Sequence, residues 1–358
     1  MNGLLDGIDV GSIDYGSLPE VPSFYPIERT SAVVDCSDPN EIATRIIRCM
    51  QKLSIIAPFN SEDASFYAEA VDHTKFYVRL YKSNFQRILV EFQRIGDGNS
   101  FNFVMYARAI LAGLRSTRGE CVDAWVTRSS FSYIPANMIP CHANKSHRHD
   151  DVCAEYMMPI EDMLKSYRSD AAALGIKSLL LLTDQDRSQV SFNVAEVVLH
   201  GRGHPAIKNF IHTCIHSPHT TLFDEKKDFD SRQNDTMCRN ALAILGNSLR
   251  SASDAKCPLL ASLVQSDEWM EKSGLVDALL YEISHSQDRC HEAYYAARCL
   301  NALLDSSLEM KRALVERGLT GVMQESRAVG RRSHSLLAQE SDAALARMVD
   351  VSLQEEKQ

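Results

Sequence analysis

The chain has 358 residues, 45% hydrophobic and 24% charged, which places it among globular proteins with enough length for two or three cores. A formal net charge of -9 excludes a uniformly basic binder of nucleic acid or membrane, while leaving room for one basic face. Sixteen glycines and eleven prolines are few for a loop-rich β protein, so long helices are expected.

Ten cysteines at irregular spacing form no CxxC pair. The opening MNGLLDGIDVGSIDYG carries acids where a signal peptide needs basic residues. Both features point to reduced thiols and a cytoplasmic or nuclear setting. No apolar run nears the roughly 18 residues that cross a bilayer, so no transmembrane segment is expected.

Residues 1–29 set Asp6, Asp9, Asp14, Glu20 and Glu28 against a single Arg29 and show no period. They read as a disordered acidic arm, with Tyr15, Phe24 and Tyr25 as the anchors of a short linear motif. From Thr30 the pattern changes. Ala32 to Val34 suits a short strand, and Ser37-Asp38-Pro39-Asn40 supplies a helix cap with proline at the first helical position. Ile42, Ile46, Cys49 or Met50, and Leu53 then make one apolar stripe, while Arg45, Arg48 and Lys52 share another face.

Three strands follow. Phe66 to Val71 is the first. In the second, Phe76, Val78 and Leu80 alternate with Lys75, Tyr77, Arg79 and Tyr81; in the third, Ile88, Val90 and Phe92 alternate with Leu89, Glu91 and Gln93. Gly96-Asp97-Gly98 breaks the last strand, and Asn99 or Ser100 caps a helix with Phe103, Val104, Ala107, Ile110, Leu111 and Leu114 on its core side. Residues 30–116 therefore read β-α-β-β-β-α, an antiparallel α+β sheet covered on one face by two helices.

This segment resembles the kinase-associated domain 1 (KA1) found at the C-terminus of microtubule-affinity-regulating and related protein kinases. The resemblance rests on Asp38-Pro39-Asn40-Glu41, on Phe76 to Lys82, and above all on Val90-Glu91-Phe92-Gln93-Arg94-Ile95-Gly96-Asp97-Gly98-Asn99-Ser100-Phe101. It covers about a quarter of the chain. KA1 domains include binders of acidic phospholipids, and that is what the resemblance implies for this basic segment. Between Asn40 and Arg118 eleven lysines and arginines face seven acids, inside a chain that is acidic as a whole. The lipid-binding candidates are Arg45, Arg48, Lys52, Arg79 and Lys82, each basic group near an anionic leaflet contributing roughly 1 kcal/mol.

Residues 117–150 read as a connector. From Asp151 to about residue 350, helical periodicity dominates, with helices expected at Ala171–Leu182, Phe192–Leu199, Ile207–Ile215, Met237–Leu249, Leu259–Val264, Leu275–Ile283 and Ala293–Leu304; Ser217 to Asp235 reads as an inserted polar loop, and 351–358 as a tail. Gly274-Leu275-Val276-Asp277-Ala278-Leu279-Leu280 recurs 44 residues later as Gly318-Leu319-Thr320-Gly321-Val322-Met323-Gln324, each copy followed by an Ala/Leu-rich helix. A period of roughly 40–47 residues is that of armadillo and HEAT arrays. Met237 to Leu249 resembles the long third helix of an armadillo repeat, in which small alanines allow close packing and an asparagine lies on the concave face. The resemblance implies an all-α solenoid whose partner-binding residues are Asn240, Asn247, Arg298 and Asn301.

Chemistry-bearing clusters are sparse. Cys141, His142, His147, His149 and Cys153 match no common zinc spacing. His200, His204, His212, His216 and His219 lack the glutamate of the H-E-x-x-H hydrolase motif, although His212 and His216 share a helix face. Gly201-Arg202-Gly203 lacks the rest of a dinucleotide fingerprint. No cofactor or metal is expected. The sequence points to a non-enzymatic adaptor that binds a protein partner, a kinase among the options, and not nucleic acid. The alternative is a cytoplasmic sensor bound peripherally to anionic phospholipid headgroups.

Overall fold

A computed structural model of the chain describes residues 13–21, 30–83, 87–96, 100–115, 149–166, 168–216, 231–255, 259–263, 266–271 and 274–355. It is a mixed α+β structure of two units. The first takes in Met1–Phe131 and Val329–Leu336, the second Ser132–Ala328 and Leu337–Gln358.

In the first unit the described elements run β1 (Ser31–Val34), α1 (Pro39–Lys52), β2 (Phe59–Asn60), β3 (Ser65–Glu69), β4 (Lys75–Ser83), β5 (Arg87–Ile95) and α2 (Ser100–Arg115). The sheet order is β1-β5-β4-β3-β2, and every neighbouring pair is antiparallel. Register places Val78 opposite Phe92 and Leu80 opposite Val90, so the alternating apolar residues of both strands fall on one face. Ile42, Ile46 and Met50 of α1, with Phe103, Ala107, Ile110 and Leu114 of α2, join that face in one core. The expected β-α-β-β-β-α order gains one strand, β2, which at two residues is too short to show a period. Phe59 within it packs on Phe66 with ring centroids 4.7 Å apart.

Local chemistry explains the boundaries. Asp38 accepts a hydrogen bond from the Asn40 N–H at 2.9 Å, and Pro39 opens α1 where its missing N–H costs nothing. Gly96 turns the chain out of β5 at φ +67, a region that a side chain with a Cβ avoids.

The acidic arm needs correction within residues 13–21. Ile13 and Leu18 are buried in the core of the sheet unit. The Asn40 amide clasps the Ile13 backbone, with Oδ1 accepting its N–H at 2.9 Å and Nδ2 donating to its carbonyl at 3.0 Å. The Tyr15 hydroxyl reaches the Ser83 and Arg87 carbonyls at 3.0 and 3.2 Å, and the Lys82 N–H donates to the Pro19 carbonyl at 2.9 Å. Two apolar residues five positions apart carry no period, which is why the segment reads as unstructured. Phe24 and Tyr25 lie outside the described residues, as does most of the 117–150 connector.

The second unit consists of helices: α3 (His149–Lys165), α4 (Ser169–Thr183), α5 (Ser191–His200), α6 (Pro205–His216), α7 (Ser231–Asp254), α8 (Leu259–Leu263), α9 (Asp267–Met270), α10 (Leu275–Ser284), α11 (Cys290–Leu304), α12 (Leu308–Glu316), α13 (Leu319–Ser333) and α14 (Ser335–Glu355). Its α13 runs into the segment Val329–Leu336 that the first unit takes in. From Met237 to Leu249 every α7 residue except Asn247 is buried, as expected of a helix enclosed on all sides. It touches α4, α5, α6, α8 and α11. The expected polar loop ends too late, because Ser231–Asp235 already form the first turns of α7. Both glycines of the 44-residue repeat stand immediately before a helix, Gly274 before α10 and Gly318 before α13. Among the described residues no helix is long and apolar enough to cross a membrane.

If residues 13–21 are part of the first unit, Leu18→Ala destabilises it by about 2–4 kcal/mol in urea unfolding, as loss of a buried leucine side chain does. A change within experimental error would return the segment to the role of a solvated arm.

Candidate functional site

The basic set of the first unit is divided by the fold. Arg45, Arg48 and Lys52 do share α1, but Arg45 is half-buried and its guanidinium donates to the carbonyls of Gly113 and Leu114, capping α2. Arg48 is exposed. Arg79 sits opposite Glu91 on the sheet face away from the helices, with its guanidinium 5.1 Å from the Tyr77 ring centroid. Lys82 forms an ion pair with Glu20 at 2.9 Å. The expected single basic face is therefore corrected: alternation along β4 sends Arg79 to the other side of the sheet from the α1 residues.

The helical unit brings together the residues expected to bind a partner, but it uses some of them internally. Asn240 and Asn301 are only 3% and 5% exposed, which corrects their assignment to an open surface. The Asn301 amide donates to the Glu340 carbonyl and carboxylate on α14 at 2.9 and 2.7 Å, and accepts from Arg347 at 3.3 Å. Asn247 and Arg298 are half-buried and meet across α7 and α11, the guanidinium donating to Asn247 Oδ1 at 3.3 Å. The same guanidinium lies 5.8 and 5.9 Å from the ring centroids of Tyr294 and Tyr295.

A larger polar cluster joins residues that lie far apart in the sequence. On α7, Asp235, Cys238 and Arg239 face Glu282 of α10 and Arg289 and Glu292 beside and within α11. Arg289 Nε donates to Glu282 at 2.8 Å and its Nη1 to Asp235 at 2.6 Å, while Arg239 Nε donates to Glu292 at 2.9 Å. Glu282 and Glu292 are 1% and 5% exposed. Burial alone pushes the Arg289 guanidinium down, yet Glu282, Glu292 and Asp235 raise it overall, so it stays charged. Burial, followed by the Glu282 charge, raises the Cys238 thiol well above its ordinary value. That thiol is a poor nucleophile, because the reactive species is the thiolate. The cluster's chemistry is ion pairing, which ties α10 and α11 to α7. One signal was present in the sequence: Glu282 falls on the apolar stripe of Leu275 and Leu279, where an acid demands a partner.

The histidines are distributed differently from their sequence cluster. His204 Nδ1 lies 2.6 Å from Glu161, which Lys165 also contacts at 2.9 Å. His212 Nδ1 lies 2.8 Å from Glu268 of α9, and Lys208 pairs with the same carboxylate. Among the described residues, no group of three or more His, Cys, Asp or Glu side chains is arranged to hold a metal ion. His219, Cys141, His142 and His147 lie outside the described residues, as do the side chains of His149 and Cys153.

No protein-family model matches the chain, nor does any curated protein or solved structure.

Removing one partner from the buried ion pairs strands the other. Arg289→Leu is expected to lower the unfolding free energy by about 3–5 kcal/mol, and Arg289→Leu/Glu282→Leu to recover most of the loss. Denaturant unfolding of the two variants measures both effects; a double variant as weak as the single one would refute the pairing.

Proposed function

We propose that the chain is a non-enzymatic adaptor or regulatory protein that binds a protein partner through its helical unit, with the KA1-like module as a second contact. The observation that supports this most is the meeting of Asn247, Arg298, Tyr294 and Tyr295 on α7 and α11. Tyrosine and arginine dominate the energetic centres of protein interfaces, because each offers a wide contact area with polar groups at its end. Here the guanidinium is already oriented by two rings and an amide, so binding would cost little side-chain entropy.

The armadillo/HEAT-like part of the proposal draws support from the repeat. Helices α10 and α13 begin at the two copies, and each is followed by a longer helix, α11 and α14. In such arrays each unit buries its apolar side only against the next and leaves a continuous surface for a partner. A cytoplasmic or nuclear setting fits this role and the buried free thiols Cys49, Cys214, Cys238, Cys290 and Cys299.

Peripheral recruitment to anionic phospholipid is the second reading, and the exposed Arg48 on α1 is what favours it. One such residue contributes about 1 kcal/mol, roughly a fivefold effect on vesicle binding, so the protein-partner reading has the greater support.

Affinity capture with the full chain tests the adaptor role. Proteins recovered by the wild type should fall about tenfold or more with Arg298→Ala, at an unchanged Tm, the loss expected when an interface centre is truncated. Equal recovery by both would reject the proposed surface. In parallel, co-sedimentation with phosphatidylserine vesicles at low salt, weakened by Arg48→Glu, is the outcome that would replace the protein partner with a membrane.

A further inference from the structure

Helix α9 has four residues and buries its tryptophan almost completely, Trp269 being 1% exposed. It is joined to α6 through Glu268, whose carboxylate meets His212 Nδ1 at 2.8 Å and also pairs with Lys208. The Trp269 ring stands edge-on to the His212 imidazole, with centroids 6.2 Å apart and planes at 84°. The His212 side chain is 8% exposed, and its Nε2 is buried with no hydrogen-bond partner among the described residues.

That geometry distinguishes the two charge states of the ring. With Nδ1 against a carboxylate, the neutral imidazole carries its proton there and leaves Nε2 as a bare lone pair. A second proton would create a buried N–H donor with nothing to accept it. Lys208 one turn before and His216 one turn after add like charge, and Glu268 opposes them. Of the other elements touching α6, α5 carries His200 and Glu196, and α3 carries Glu161, already engaged by His204 and Lys165. On α7 and α10, Asp235, Cys238 and Glu282 are matched to Arg289.

We infer that the Glu268–His212 contact is an acid-sensitive clasp, in which protonation of His212 releases α9 and Trp269 from α6. The imidazole has an ordinary value of 6.5, and in the closed unit burial chiefly, with Lys208 and His216 adding to it, brings it down to about 4. The open form therefore takes up the proton more readily than the closed one. Closure is fully favoured above about pH 6.5 and weakens as pH falls toward 4. Release would uncover Trp269, an apolar side chain that is 1% exposed in the closed unit.

The chain has two tryptophans, so Trp125→Phe leaves Trp269 as the sole indole reporter in the full-length protein. Its emission should shift to the red between pH 6.5 and 4, while the far-UV helix signal stays constant. His212→Phe, which cannot titrate, should remove that step. Glu268→Gln takes away the charge that favours the imidazolium and should move the midpoint to higher pH, so the idea stays testable if the phenylalanine variant does not fold. An identical midpoint in all three proteins would overturn the clasp. So would loss of the helix signal in step with the emission change, since the event would then be global unfolding.

Discussion

Burying α7 on nearly every side is the constraint from which the helical unit follows. A helix with only one apolar stripe leaves polar residues in water, but from Met237 to Leu249 this one has almost no outward side. Arg239 must therefore find a carboxylate within the protein, and Glu292 supplies it. Arg289 extends the same solution to Asp235 and to the fully buried Glu282. Ion pairs of this kind add little net stability compared with apolar packing, because desolvation offsets most of the attraction. A packing of α10 and α11 on α7 that separated these pairs would leave buried charges without partners.

The first unit solves a different problem by simpler means. Two-residue periodicity puts Val78, Leu80, Val90 and Phe92 on one face, and α1 and α2 cover it. Its polar links act at the margins. Arg45 satisfies the terminal carbonyls of α2, and Asn40 fastens the Ile13 backbone at the start of α1. Both residues would look like available surface groups if only their helical positions were known. Their use as structural fasteners explains why a count of basic residues overstated the free positive charge of this unit.

The same physics separates the two kinds of candidate site. Asn301 spends its hydrogen-bonding capacity inside the helical unit and Asn240 is buried there, whereas Asn247, Arg298, Tyr294 and Tyr295 remain half-buried, organised and partly within reach of solvent. His212 is a third case. Its environment accepts one protonation state of the ring and penalises the other, which makes a helix of four residues responsive to acid.

The elements legible in the sequence are those whose signal is local: the capped α1 after Asp38-Pro39, the alternating β4 and β5, the turn at Gly96, and the helix at Leu275 that opens the first copy of the 44-residue repeat. Each depends on neighbours within a few positions, so period and cap chemistry suffice. What those elements do with their polar groups depends on the folded chain. The packing of Ile13 and Leu18, the split of Arg79 from Arg45, and the pairing of Arg239 with Glu292 53 residues away depend on contacts between distant segments. Whether a charged side chain becomes a ligand-binding group or a fastener is set by the partner that folding places beside it, and no short-range pattern encodes that partner.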